Sequence, residues 1–177
     1  RPPPTSPPGD VDTHGGKRGA SGAAVCKLVG ATGKGPERSS LRGTNAHTSG
    51  NSPGAVTPTG MVADNDLASG QLVDLISHSA IWKEPAISIL EDDAQNGPDH
   101  VDANRSVLLV ASPFVRRGAA DSTLYTTSGV LRTIELILGL PPMSQYDAAA
   151  TPLYKAFVAM PNLRPYSAVP ARAPLDE

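Results

Sequence analysis

The composition of the chain breaks near residue 60, and this break decides how much of it can fold as a packed body. Residues 1–60 carry 20 of the 35 Gly and Pro residues and contain no aromatic residue, no Ile and no Met. Their large aliphatics are Val11, Val25, Leu28, Val29, Leu41 and Val56. These are too few to offset an ordering cost of ~1–2 kcal/mol per residue, so this stretch is expected to be mostly irregular. Charge divides at the same place: seven Lys and Arg against three acids up to residue 60, then eight against fourteen, for a net charge of −2. The basic stretch has no aromatic side chains on which bases could stack, so nucleic acid is not expected as a dedicated partner.

A chain of 177 residues leaves room for one ordinary domain. Its single cysteine, Cys26, cannot close an internal disulfide. No apolar run approaches the ~20 residues of a spanning helix, so no transmembrane segment is expected. The Pro-rich stretch at Arg1 has no apolar signal core, so no signal peptide is read in the chain.

From Met61 onward the sequence acquires periodicity. Asp64 and Asn65 stand as caps before Ala68, Leu72, Leu75, Ile76 and Ser79 at helical spacing, which predicts an amphipathic helix of about four turns. Ala86-Ile87-Ser88-Ile89-Leu90 and Val107-Leu108-Leu109-Val110-Ala111 are continuous apolar runs of strand length, a pattern that suits buried parallel strands. Ser112-Pro113 stops the second run, because proline has no amide donor. Thr126 or Thr127 caps a further helix with Val130, Leu131, Ile134, Ile137 and Leu138 on its apolar face and Gly139 as its stop. A shorter helix is expected from Thr151 through Met160, followed by a surface tail over 161–177. Helix, strand, loop, strand and helix in this order predict an α/β architecture, and ligands in such folds gather at the carboxyl ends of the strands. That rule selects the loop between the two runs.

The loop opens with Glu91-Asp92-Asp93 and runs through Asp99-His100 to Asp102, packing five carboxylates and an imidazole into twelve residues. Like charges this dense repel unless a cation neutralises them, so a divalent metal is the simplest compensation. Oxygen donors with one His suit Mg, Mn, Ca or Zn. A calcium loop of the helix-loop-helix type is a poor match, since Ala94 and Ala103 fall on two required ligand positions. The same residues also read as an acidic turn, bent at Asn96-Gly97-Pro98 with its carboxylates solvated. His78, beside Ser77 and Ser79, reads as a polar helix-end residue rather than a ligand.

Five blocks carry a resemblance: MVADND at 61–66, ISHSAIW at 76–82, ILEDDAQNGPDHVDANRS at 89–106, LLVASPFVRRG at 108–118 and LRTIELILGLPPMSQYDAAATPL at 131–153. In this order they resemble the bacterial phosphoesterase family, whose phospholipase C-like and acid phosphatase-like enzymes lie in the alkaline phosphatase superfamily. The resemblance covers about residues 44–160. It implies a metal-dependent hydrolase of phosphoric esters, periplasmic or secreted, on a three-layer sandwich with a mostly parallel sheet. It implies a divalent metal cofactor (Zn, Mn, Mg or Ca) and a phosphoester substrate.

On the family pattern, Asp92 and Asp93 are metal ligands, His100 is a ligand or phosphate contact, and Arg105 is retained as a phosphate-binding residue. Asn45-Ala46-His47-Thr48 resembles an Asn-Asp-His-Thr stretch, which brings His47 to the metal and leaves Ala46 in place of a carboxylate. Asn104 stands where the pattern has a His. Residues 1–43 offer no match to the part of the family that supplies the hydroxyl nucleophile, so no catalytic Ser or Thr is assigned. The resemblance therefore implies the carboxy-terminal portion of a catalytic domain, with a missing amino-terminal half as a partner. The alternative is a non-catalytic metal-binding or interaction fragment, in which the acidic loop holds a cation and hydrolyses nothing.

Overall fold

The computed structural model describes the backbone of residues 24–32 and 35–42, and residues 52–91 and 106–176 in full. The elements are β1 (Ala24–Thr32), β2 (Gly35–Arg42), α1 (Pro58–Ser77), β3 (Ala86–Glu91), β4 (Leu108–Ala111), α2 (Thr127–Leu138) and α3 (Gln145–Ala149). The fold is mixed α/β.

The four strands form one sheet in the order β2-β1-β3-β4. Each of its pairings is antiparallel, with Cys26 opposite Ile89, Ile87 opposite Ala111 and Leu90 opposite Leu108. This corrects the expectation that the two apolar runs are parallel strands. A continuous apolar run reports burial on both faces, and antiparallel strands acquire the same pattern when helices cover both sides. Here they do. Ile87, Ile89 and Ala111 pack with Val73 and Ile76 of α1, whereas Leu90, Leu108 and Val110 pack with Val130 and Ile134 of α2. Alternate residues of one strand thus serve two separate cores.

The stretch before residue 44, expected to be irregular, supplies β1 and β2. An interior strand such as β3 presents two rows of backbone donors and acceptors, and β4 satisfies only one of them. β1 takes the other, in a register that runs from Ala24 opposite Glu91 to Val29 opposite Ala86.

α1 starts at Pro58 rather than after Asp64. Thr57 accepts the Gly60 amide on its hydroxyl at 3.2 Å, and Pro58 occupies the first turn, where its missing N–H costs nothing. Its buried face is Val73, Ile76 and Ser77, while Leu75, expected on that face, is 71% exposed. A 3-10 turn at Ala80–Lys83 then folds Trp82 back under the helix and onto Ile87, which is fully buried.

α2 follows the sequence reading closely. The Thr126 hydroxyl accepts the Gly129 amide at 3.2 Å, and Gly139 closes the helix in the left-handed region at φ 66°. α3 was not anticipated. Ser144 caps it, and the Ser144 hydroxyl donates back to Asp147, a reciprocal pairing that buries the carboxylate.

The helix expected from Thr151 to Met160 is instead a single 3-10 turn at Tyr154–Ala156. Beyond it the chain is drawn into extended pairing: Val158 N–H donates to Phe114 O at 2.7 Å, Arg116 N–H to Ala156 O at 2.9 Å, and Val115 bridges Phe157. These backbone bonds claim the groups a helix would need. The tail then crosses α1, where Tyr166 N–H donates to the Ser77 hydroxyl at 2.9 Å and Ala168 N–H to Asp74 Oδ2 at 2.6 Å.

Candidate functional site

β3 and β4 end side by side. Glu91 N–H donates to Val107 O at 3.2 Å, the Ser106 hydroxyl donates to Glu91 O at 3.3 Å, and Val107 N–H reaches Glu91 Oε2 at 3.4 Å. These bonds clamp the two ends of the acidic connection, residues 92–105. Asp92, Asp93, His100 and Arg105 all belong to that connection, and His47 to the segment 43–51; all five lie outside the described residues. Among the described residues no group of three or more His, Cys, Asp or Glu side chains converges. His78 caps α1, with Nδ1 2.9 Å from both Asp74 O and Asp74 Oδ1, in keeping with its reading as a helix-end residue.

The clamp borders an open cleft of about 2550 Å³ along β4, with Leu90 and Ser106 in its lining. One side is α1 with the crossing tail, and the other is the turn after β4 leading into α2. Among the described residues, five cationic side chains line it (Arg116, Arg117, Lys155, Arg164 and Arg172) against two carboxylates, Asp66 and Asp121. The chain as a whole is net negative, so this excess of positive charge is a local feature of the cleft.

The cations differ in their engagement. Arg117 Nη2 donates to the carbonyls of Asn162, at 3.0 Å, and of Arg164, which ties the turn after β4 to the tail. Lys155 Nζ donates to the Thr123 hydroxyl at 3.0 Å. The guanidinium groups of Arg116, Arg164 and Arg172 form no hydrogen bond or ion pair among the described residues.

Asp121 organises the loop before α2. Its Oδ1 accepts the Thr123 amide at 2.9 Å and the Thr123 hydroxyl at 2.7 Å, and its Oδ2 accepts the Tyr125 hydroxyl at 2.8 Å. The Thr123 hydroxyl and amide hold the Asp121 carboxyl below its ordinary range, with Tyr125 and Lys155 adding to the effect. Burial and the bond to Asp121 push the Tyr125 phenol up. A Thr hydroxyl between a carboxylate and an ammonium resembles a nucleophile with its base. The low proton affinity of Asp121 argues against that role, because a general base works best with a pKa near the working pH. The arrangement fixes the loop and leaves Tyr125 protonated at neutral pH. Trp82 also lines the cleft, with its Nε1–H buried and without a hydrogen-bond partner among the described residues.

Arg116 and Arg117 stand out in the sequence as an adjacent pair. Lys155, Arg164 and Arg172 were not singled out by sequence reasoning, since isolated cations spread over a Pro-containing stretch carry no periodic signal. The Asp-x-Thr spacing at 121–123 is the one local signal for the Asp121 loop, as Asp side chains commonly cap the backbone two residues on. Compared with models of protein families, with curated proteins and with solved structures, the chain matches none of them.

Proposed function

We propose that the chain is a metal-dependent phosphoester hydrolase of the bacterial phosphoesterase type, corresponding to the carboxy-terminal portion of such a catalytic domain. The observation that carries this reading is the meeting of two features. The acidic connection 92–105 leaves β3 and rejoins β4 at a clamped pair of strand ends, and those ends border a cleft with a local excess of positive charge. Carboxylates suited to a cation and guanidinium groups suited to phosphate oxygens are the two requirements of phosphoester hydrolysis.

Asp92 and Asp93 would hold the metal, with His100 and His47 as neutral donors, while Arg105 neutralises phosphate oxygens. A bound divalent ion supplies Lewis-acid stabilisation of the charge that builds on phosphorus-bound oxygen. The positive cleft raises the local concentration of an anionic ester. The nucleophilic hydroxyl comes from an amino-terminal half that completes the site. A periplasmic or secreted location accompanies this reading. The finer fold reading, an alkaline phosphatase-like three-layer sandwich, draws support from the helices on both faces of β3 and β4; the antiparallel pairings count against its mostly parallel sheet.

The replacements Ala46 and Asn104 favour a second reading, a non-catalytic metal-binding or interaction fragment, because each removes a donor from the family pattern and weakens the hold on a catalytic metal. The deciding experiment supplements the chain with the amino-terminal half that carries the nucleophile and measures turnover of mono- and bis(nitrophenyl) phosphate with Mn, Zn, Mg or Ca, beside calorimetric titration of the same ions. Metal-stimulated turnover that is lost with chelator and in Asp92→Asn supports the hydrolase. Binding heat without turnover supports the second reading. Neither heat nor turnover overturns both.

A further inference from the structure

We propose that the arginines lining the cleft form a second anion site, so that the esters this protein takes carry a further negatively charged group. The inference rests on the phosphoester reading for the first group and on the described residues for the second.

Three cations line the cleft from separated parts of the chain, Arg116 on the side of the turn after β4 and Arg164 and Arg172 on the side of the tail. Arg116 sits on the turn after β4, positioned by its own N–H to Ala156 O at 2.9 Å. Arg164 is set in the tail by its N–H to Asn162 Oδ1 at 3.1 Å, and Arg172 joins from further along the tail. Arg117 bridges the first two segments through the carbonyls of Asn162 and Arg164, so their juxtaposition is built rather than incidental. The guanidinium groups of Arg116, Arg164 and Arg172 find no carboxylate among the described residues. Of the two acids in the cleft, Asp121 already accepts three hydrogen bonds.

The amino-terminal end of α2 opens on the same cleft through Thr126 and Thr127, with no acid in its first turn to offset its partial positive charge. Guanidinium groups without a carboxylate partner among the described residues, lining the same cleft as a helix amino terminus, suit a multiply charged oxyanion. The metal loop accounts for one such group. The size of the cleft and the three guanidinium groups without a carboxylate among the described residues leave a place for a second, either a phosphate or a carboxylate.

The test uses the full chain and calorimetric binding of three probes with the same alkyl spacer: an alkyl monophosphate, the alkanediol bisphosphate and the phospho-carboxylate. The bisphosphate is expected to bind about tenfold more tightly than the monophosphate, as several exposed charge pairs would give. Arg116→Gln combined with Arg172→Gln should abolish that preference, whereas the matching Lys pair should retain much of it. Arg117 is left untouched because it holds the two segments together. Circular dichroism confirms that the variants are folded.

A phospho-carboxylate that equals the bisphosphate assigns the site to charge alone, and a weaker one assigns it to phosphate. Equal binding of mono- and bisphosphate, or a preference that survives in the Gln variant, overturns the proposal. Turnover by the completed site without the preference overturns the second site alone; the preference without metal-stimulated turnover by the completed site overturns the hydrolase reading and leaves an anion site.

Discussion

Two glycine-to-alanine substitutions, chemically identical and each inside a helix, should shift stability in opposite directions. At Gly70, in the middle of α1, an added Cβ would meet only the Tyr166 hydroxyl at 3.5 Å, an ordinary contact. Gly70→Ala should therefore stabilise by ~0.5–1 kcal/mol, the usual cost of glycine in a helix. At Gly129, in the first turn of α2, the added Cβ would run into the backbone carbonyl of Thr151. That carbonyl cannot move by itself. Leu153 N–H donates to the Thr133 hydroxyl at 2.9 Å, and the same hydroxyl donates to Gly129 O at 2.7 Å. Relieving the clash costs ~1–3 kcal/mol of overpacking and puts a bond worth ~0.5–1.5 kcal/mol at risk, against a propensity gain of under ~1 kcal/mol. Gly129→Ala should thus be destabilised by ~1–3 kcal/mol. Urea unfolding followed by circular dichroism should separate the two midpoints by roughly 1–2 M. A Gly129→Ala protein as stable as the parent would refute the close approach of α2 to residues 151–153.

Two further outcomes follow from the packing and the buried acid. Ile87→Ala empties a fully buried position between α1 and the sheet; it should cost ~2–5 kcal/mol in the same urea assay, and a cost below 1 kcal/mol would contradict the shared core. Asp147 is buried and its pKa is lowered from 3.8 to about 2, chiefly by the Ser144 hydroxyl. A carboxyl depressed on folding stabilises the native state above its unfolded pKa, and that contribution is lost as pH falls through the folded value. Stability should therefore drop between 3.8 and about 2, and Asp147→Asn should flatten that limb in melts recorded across the range.

Local chemistry made some of this architecture readable in advance. The Thr126 cap and Gly139 stop delimit α2 because both signals act within one turn of the helix. The strand runs before and after the acidic loop are likewise legible as apolar stretches, although Val107 and Leu109 of the second remain exposed. α1 starts upstream of Asp64 and Asn65, which are good caps in isolation. Thr57-Pro58 lies upstream and forms the cap that is used. The local signal for α3 is Ser144 three residues before Asp147, the spacing of a capping box. Of the candidate site, the acidic connection and the Arg116-Arg117 pair were visible as sequence clusters; Lys155, Arg164 and Arg172 were not, because only folding gathers them.

What the residues settled unaided are features confined to neighbours along the chain: which stretches are apolar, where α2 begins and ends, and where carboxylates crowd between two strands. Strand direction, the conversion of 151–160 from helix to extended pairing, and the assembly of a cationic cleft from residues far apart in the chain were decided by the tertiary structure. The physical reason is the same in each case. A buried backbone group must find a partner, and an apolar face must find a cover. Which partner or cover is within reach depends on how distant segments pack, not on the residues beside it.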